Sequence, residues 1–215
     1  VVAKALLIDY GGVLTNPLGD VMGSWLSADG VDPDAFADVM RLWMGGAAAP
    51  GNPVHALESG QLPADRFERE LADRLGWGPP GTPPTAGLLA RMFATMTIDP
   101  AMVALVRDVR ASGVRTALVS NSWGNDYPRD DWDSLFDAVL ISGEVGLRKP
   151  EPGIYLLAAE RLGVPPTQCV FVDDLPPNVR GAVALGMVGV HHVDPATTRR
   201  ELEALFPPPF GSAPA

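Results

Sequence analysis

The chain has a single cysteine, Cys169, which excludes an internal disulfide framework and any cysteine-based zinc cage, because each needs several thiolates. Such sparse cysteine usage suits the cytoplasm. Positive charge is also scarce: 16 Lys and Arg stand against 26 Asp and Glu, a formal net charge of −10. An acidic surface repels phosphate backbones and anionic lipid at long range, so neither nucleic acid nor a membrane surface is an expected partner. Long hydrophobic runs are missing as well. Lys4, Asp9 and Asp20 interrupt the first apolar stretch, and no later run approaches the roughly 20 residues that span a bilayer. The opening apolar residues lead straight into Asp9-Tyr10-Gly11-Gly12 without a small-residue cleavage site, and read as a buried strand rather than a signal segment. No internal repeat and no heptad pattern is present, which leaves monomer and homodimer equally open.

What is present fits a globular domain with an insertion. The 215 residues are 47% hydrophobic, enough to bury a core. Gly 23 and Pro 22 together make about a fifth of the chain, a loop-punctuated composition short of the disordered range. Four apolar runs of strand length, residues 3–8, 116–119, 138–141 and 169–172, are bounded by turn residues, and 188–193 is a candidate fifth. Their unbroken apolar character predicts strands covered on both faces, as in a parallel sheet. Helices are marked between them. Asp99-Pro100 supplies an N-cap and an N1 proline ahead of Leu105 and Val106, with Gly113 at the end; 151–162 closes at Gly163; 177–185 closes at Gly186; and Asp194-Pro195 opens a last helix to Phe206. Strand alternating with helix predicts an α/β fold, a doubly wound parallel sheet of Rossmann-like type.

Residues 16–96 break this alternation. They hold helix starts at Asp32-Pro33 and Leu62-Pro63 and an apolar helix over 88–96, but no comparable strand. We read them as an inserted helical cap on a core formed by 1–15 and 97–206. Phe67, Leu71 and Leu75, spaced i, i+4, i+8, are assigned to packing, as are Trp25, Trp43, Met40 and Met44. The tail 207–215, with four prolines, is expected to be disordered.

In an open parallel sheet, ligands gather beyond the carboxyl ends of the strands. The polar residues there form a set: Asp9 after the first strand, Ser120-Asn121 after the second, Lys149 in the loop after the third, and Asp173-Asp174 after the fourth. Taken singly, Asp9 reads as a turn residue and Asp173-Asp174 as a helix cap. Together they place carboxylates in one crevice, where they repel unless a cation joins them. His55, His191 and His192 are scattered and receive no catalytic role. Trp123 is divided between packing and the pocket mouth.

The segments Leu6-Leu7-Ile8-Asp9-Tyr10-Gly11-Gly12, Ala117-Leu118-Val119-Ser120-Asn121, Gly143 through Pro152 around Lys149, and Val170-Phe171-Val172-Asp173-Asp174 occur in that order. In this the chain resembles the haloacid dehalogenase-like hydrolases, specifically the phosphatase-rich branch with a helical cap after the first strand. The resemblance implies that Asp9 is a nucleophile forming an aspartyl phosphate. It implies Mg²⁺ held by Asp9, the Gly11 carbonyl and Asp174, with or without Asp173. It further implies that Ser120, Asn121 and Lys149 bind the phosphoryl oxygens of a small phosphorylated substrate, with Lys149 also neutralising charge in transfer.

The pattern departs from the family at one position. Family phosphatases usually carry a second aspartate two residues after the nucleophile, which protonates the leaving oxygen; here that residue is Gly11. Such a group typically contributes about 10²- to 10⁴-fold, so the expected phosphatase is slow or selective for good leaving groups. A 2-haloacid dehalogenase, which uses an aspartate nucleophile without metal or leaving-group acid, is the alternative within the family. A weakened module that binds a phosphorylated ligand or a regulatory partner is the alternative outside catalysis.

Overall fold

A computed structural model describes residues 3–44, 52–78, 81–124 and 127–206. The tail 207–215 lies outside them. In chain order the elements are β1 (Ala5–Ile8), α1 (Leu18–Asp29), α2 (Pro33–Met44), α3 (Pro53–Glu58), α4 (Ala64–Arg74), α5 (Leu88–Met92), α6 (Pro100–Ala111), β2 (Arg115–Ser120), α7 (Trp132–Leu135), β3 (Ala138–Ile141), α8 (Ser142–Val145), α9 (Pro152–Leu162), β4 (Cys169–Asp173), α10 (Pro176–Val183), β5 (Val188–His191) and α11 (Pro195–Leu205).

The five strands form one parallel sheet in the order β3-β2-β1-β4-β5. The unbroken apolar runs have the cause expected of them. Leu6 and Ile8 of β1 join Val170 and Val172 of β4 in a core with Met102, Leu105, Val106 and Val109 of α6. The alternate residues Ala5 and Leu7, with Cys169 and Phe171, join Ile154, Tyr155, Ala158 and Leu162 of α9. Successive side chains of a strand point to opposite faces, and here each face meets a helical layer.

Helix boundaries follow the punctuation with two differences. The Asp99 carboxylate accepts from the N–H of Ala101 (2.8 Å) and Met102 (3.3 Å), and Asp194 accepts from Thr197 N–H (2.8 Å). α9 ends at Gly163, whose φ of 66° suits glycine. α10, however, stops at Val183 rather than running to Leu185, because Leu185 N–H and Gly186 N–H bond three residues back to Ala182 and Val183 carbonyls. The helix expected over 88–96 is likewise short. After Met92 the chain turns through i→i+3 bonds from Ala94 to Arg91 and from Met96 to Phe93.

Helices α1 to α5 pack around their own apolar cluster, which includes Trp25, Trp43, Val54, Phe67, Leu71 and Leu88. Glu68, buried beneath α5, accepts from the N–H groups of Gly87 (3.1 Å) and Leu89 (3.0 Å), which satisfies donors at that helix start. The two crossings between this helical segment and the sheet layer run side by side. Thr15 bridges Ile98, and Asn16 and Thr97 bond through both backbone and side chain.

Candidate active site

Strand order changes direction at β1 and β4. The crevice beyond their carboxyl ends is where a doubly wound sheet leaves room for a ligand. Asp9 follows β1 directly and is held in register by its N–H bond to Val172 O (3.0 Å). Asp173 is the last residue of β4, and Asp174 begins the turn into α10. These three carboxylates each offer an oxygen within 4.8 Å of the others.

Lys149 lies between two of them. Its Nζ is 2.6 Å from Asp9 Oδ1 and 2.7 Å from Asp173 Oδ2, with its side chain 1% exposed. Burial alone would lower the lysine pKa, but the charges of Asp173 and Asp9 raise it above its ordinary value, so the ammonium persists. Burial pushes the Asp9 carboxyl well above the usual range despite Lys149, and the charges of Asp173 and Asp174 push the same way. Asp174 is pushed up to about 6, chiefly by burial and then by Asp173.

The two acids after β4 differ in their partners. Asp173 is saturated by the protein: Oδ1 accepts from Leu175 N–H (2.8 Å), Oδ2 from Lys149, and Asn178 Nδ2 reaches both oxygens at 3.1 and 3.2 Å. Asp174 Oδ1 is buried without a hydrogen-bond partner among the described residues. An orphaned buried carboxylate oxygen is rare in native proteins. Beside two further carboxylates it is the donor set that suits a hard divalent cation such as Mg²⁺. Gly12 permits this approach: its φ is 75°, and a Cβ there would run into the Asp174 carboxylate.

Each residue expected from the sequence therefore lies at this crevice, but two are engaged in ways the sequence did not indicate. The Asn121 side chain grips the lysine loop, accepting from Lys149 N–H (2.9 Å) and donating to Lys149 O (3.0 Å). The Ser120 hydroxyl shares a 3.0 Å hydrogen bond with Tyr127 OH. Sequence reasoning missed Tyr127, Asn178 and Glu58. Glu58 ends α3, is 4% exposed, and holds Arg148 Nε at 2.7 Å and Trp123 Nε1 at 3.1 Å. It ties the helical segment to the residue preceding Lys149. Gly60, two residues on, is needed because a Cβ there would lie 2.6 Å from Gly143 O.

Above the carboxylates opens a cavity of about 250 Å³. Asp9, Gly11, Ser120, Asn121, Lys149 and Asn178 line its floor. Trp25 and Trp43, assigned to packing from the sequence, are buried in the helical cluster; Met40 packs against that cluster and also lines the cavity, and Met44, likewise assigned to packing, lines the cavity. Trp123 does both.

A family model described as haloacid dehalogenase-like hydrolase matches residues 3–186. The chain is 28% identical over 209 residues to the sesquiterpene phosphatase astK of Aspergillus oryzae, covering 94% of this chain and 96% of that protein. It is 27% identical over 210 residues to acyl-CoA dehydrogenase family member 10 of Mus musculus, of which it spans only 19%. A HAD family enzyme of Bacteroides thetaiotaomicron, solved with magnesium and inorganic phosphate, superposes with a TM-score of 0.64 at 21% identity, over 89% of this chain and 94% of that one. Among the described residues no helix is long and apolar enough to cross a membrane.

Proposed function

Because the chain belongs to the haloacid dehalogenase-like hydrolases, an enzyme family with phosphatases among its relatives here, we propose that it is a Mg²⁺-dependent phosphatase acting through Asp9. The observation that carries this reading is the orphaned Asp174 Oδ1 beside Asp9 and Asp173, with a buried lysine between two of the three. Asp9, Asp174 and the Gly11 carbonyl would hold the ion. Once bound, Mg²⁺ supplies positive charge that lets an anionic carboxylate approach an anionic phosphoryl group. We assign Asp173 to positioning, because its oxygens are already committed to Lys149, Leu175 and Asn178.

The remaining steps belong to the chain's own groups. Tyr10 N–H (2.7 Å) and Lys149 both engage Asp9 Oδ1, so Oδ2 is the oxygen that attacks phosphorus. The phosphorus–oxygen bond to the leaving group breaks, and the leaving oxygen departs with the electron pair. Lys149 and the Ser120 hydroxyl, oriented by Tyr127, stabilise the phosphoryl oxygens, as does the Asn121 N–H. Water then attacks the same phosphorus, releasing inorganic phosphate and restoring the Asp9 carboxylate. With Gly11 in place of an acid, the first step proceeds unassisted. The enzyme therefore prefers leaving groups that are stable as anions, such as carboxylates and phenolates.

The test is phosphate release from acetyl phosphate with and without Mg²⁺. Metal-dependent release that Asp9→Asn abolishes supports the reading. Equal release by wild type and Asp9→Asn contradicts it.

A further inference from the structure

The charged and amide side chains that line the cavity lie at its floor and beside it, and are engaged with protein partners. Of the charged side chains among the described lining residues, Asp9 is paired with Lys149, and Glu58 with Arg148 and Trp123. Ser120, Asn121 and Asn178 are bonded to Tyr127, Lys149 and Asp173. The opposite wall is built by the helical segment from Met22, Phe36, Met40, Met44, Phe93 and Met96. Four of the seven methionines in the chain thus face one space. Unbranched, polarisable methionines make a wall that adapts to apolar shapes. It offers nothing to a hydroxyl, a second phosphate or a carboxylate, and burying such a group unpartnered is unfavourable.

We infer that the substrate is a monophosphate whose remaining part is an uncharged hydrocarbon, carried on a leaving oxygen of low basicity, with the phosphoryl group at Asp9 and the hydrocarbon among the methionines. This rests on the phosphatase reading and adds the class of substrate to it. Sugar phosphates, nucleotides and diphosphates are excluded by the same wall.

Straight-chain acyl phosphates from acetyl to dodecanoyl test this, because the leaving carboxylate keeps the same basicity while the chain grows. With Mg²⁺, kcat/KM is expected to rise about fourfold per added methylene and to level off once the chain outgrows the methionine wall. Calorimetric titration with the matching n-alkylphosphonates, which cannot be hydrolysed, should show the same rise in affinity. Hexose and nucleoside monophosphates should compete no better than inorganic phosphate. Turnover of acetyl phosphate with no dependence on chain length overturns the substrate class and leaves the phosphatase reading standing. No turnover anywhere in the series overturns the phosphatase reading, and the phosphonate titration then decides the hydrocarbon site alone: rising affinity upholds it, flat affinity refutes it.

Discussion

Restoring a carboxylate at Gly11 tests whether the missing acid limits the chemistry. The backbone accepts it: Gly11 is outside the left-handed region, and an added Cβ would meet Leu18 Cδ1 and Cδ2 at 3.5 Å, ordinary contact at the cavity wall. Gly11→Asp therefore places a new carboxyl group beside the bound substrate without displacing backbone. A positioned general acid contributes about 10²- to 10⁴-fold, or about 3–5 kcal/mol of barrier at about 1.4 kcal/mol per tenfold. The gain belongs to poor leaving groups. For acyl phosphates, whose carboxylate leaves unaided, kcat should change little. For phenyl and n-hexyl phosphates it should rise, most for the alkoxide. The assay is the slope of log kcat against leaving-group pKa in both proteins, steep in wild type and shallow in Gly11→Asp. The fourth carboxylate adds repulsion to Asp9, Asp173 and Asp174, so melting curves with Mg²⁺ establish that the variant is folded and loaded. A folded, Mg²⁺-binding variant with the wild-type slope would refute the reasoning.

Three further outcomes are expected. Asp174→Asn should abolish the rise in melting temperature on adding Mg²⁺, whereas Asp173→Asn should weaken it less while lowering kcat through the released Lys149; titration of each variant with the metal separates them. Asp174 has a folded-state pKa of about 6 against an ordinary 3.8, so the metal-free protein binds this proton more tightly folded than unfolded. Its stability falls as pH rises from about 4 through 6, and because Mg²⁺ takes deprotonated carboxylates, the thermal shift it produces should be larger at pH 7.5 than at pH 5. Gly12→Ala combines a φ of 75° with a clash against the Asp174 carboxylate; it should cost about 1–2 kcal/mol from the backbone alone, read by denaturant unfolding, and should weaken Mg²⁺ binding.

The parts of the fold that the sequence revealed are those governed by local rules. Strands buried on both faces write continuous apolar runs, and Asp99-Pro100 and Gly163 punctuate helices through hydrogen bonds to their own neighbours. The candidate residues at strand ends were legible for the same reason, since topology alone gathers Asp9, Ser120, Lys149 and Asp173. What escaped depends on contacts between distant segments. Glu58 meets Arg148 across 90 positions, and nothing near residue 58 announces that partner. Met40 and Met44 share helix α2 with buried Val39 and Trp43, and helical spacing cannot say whether the surface opposite is a neighbouring helix or a cavity. Asn178 looked like one more residue of a helix start, yet its amide fixes Asp173.

In the proposed reaction Asp9 carries the phosphoryl group during turnover. Wild-type protein acid-quenched while hydrolysing acetyl phosphate with Mg²⁺, digested and mapped by mass spectrometry, tests it directly. A phosphoryl adduct on Asp9 is expected, absent without Mg²⁺ and absent in Asp9→Asn. An adduct on another residue, or sustained turnover by Asp9→Asn, would contradict it.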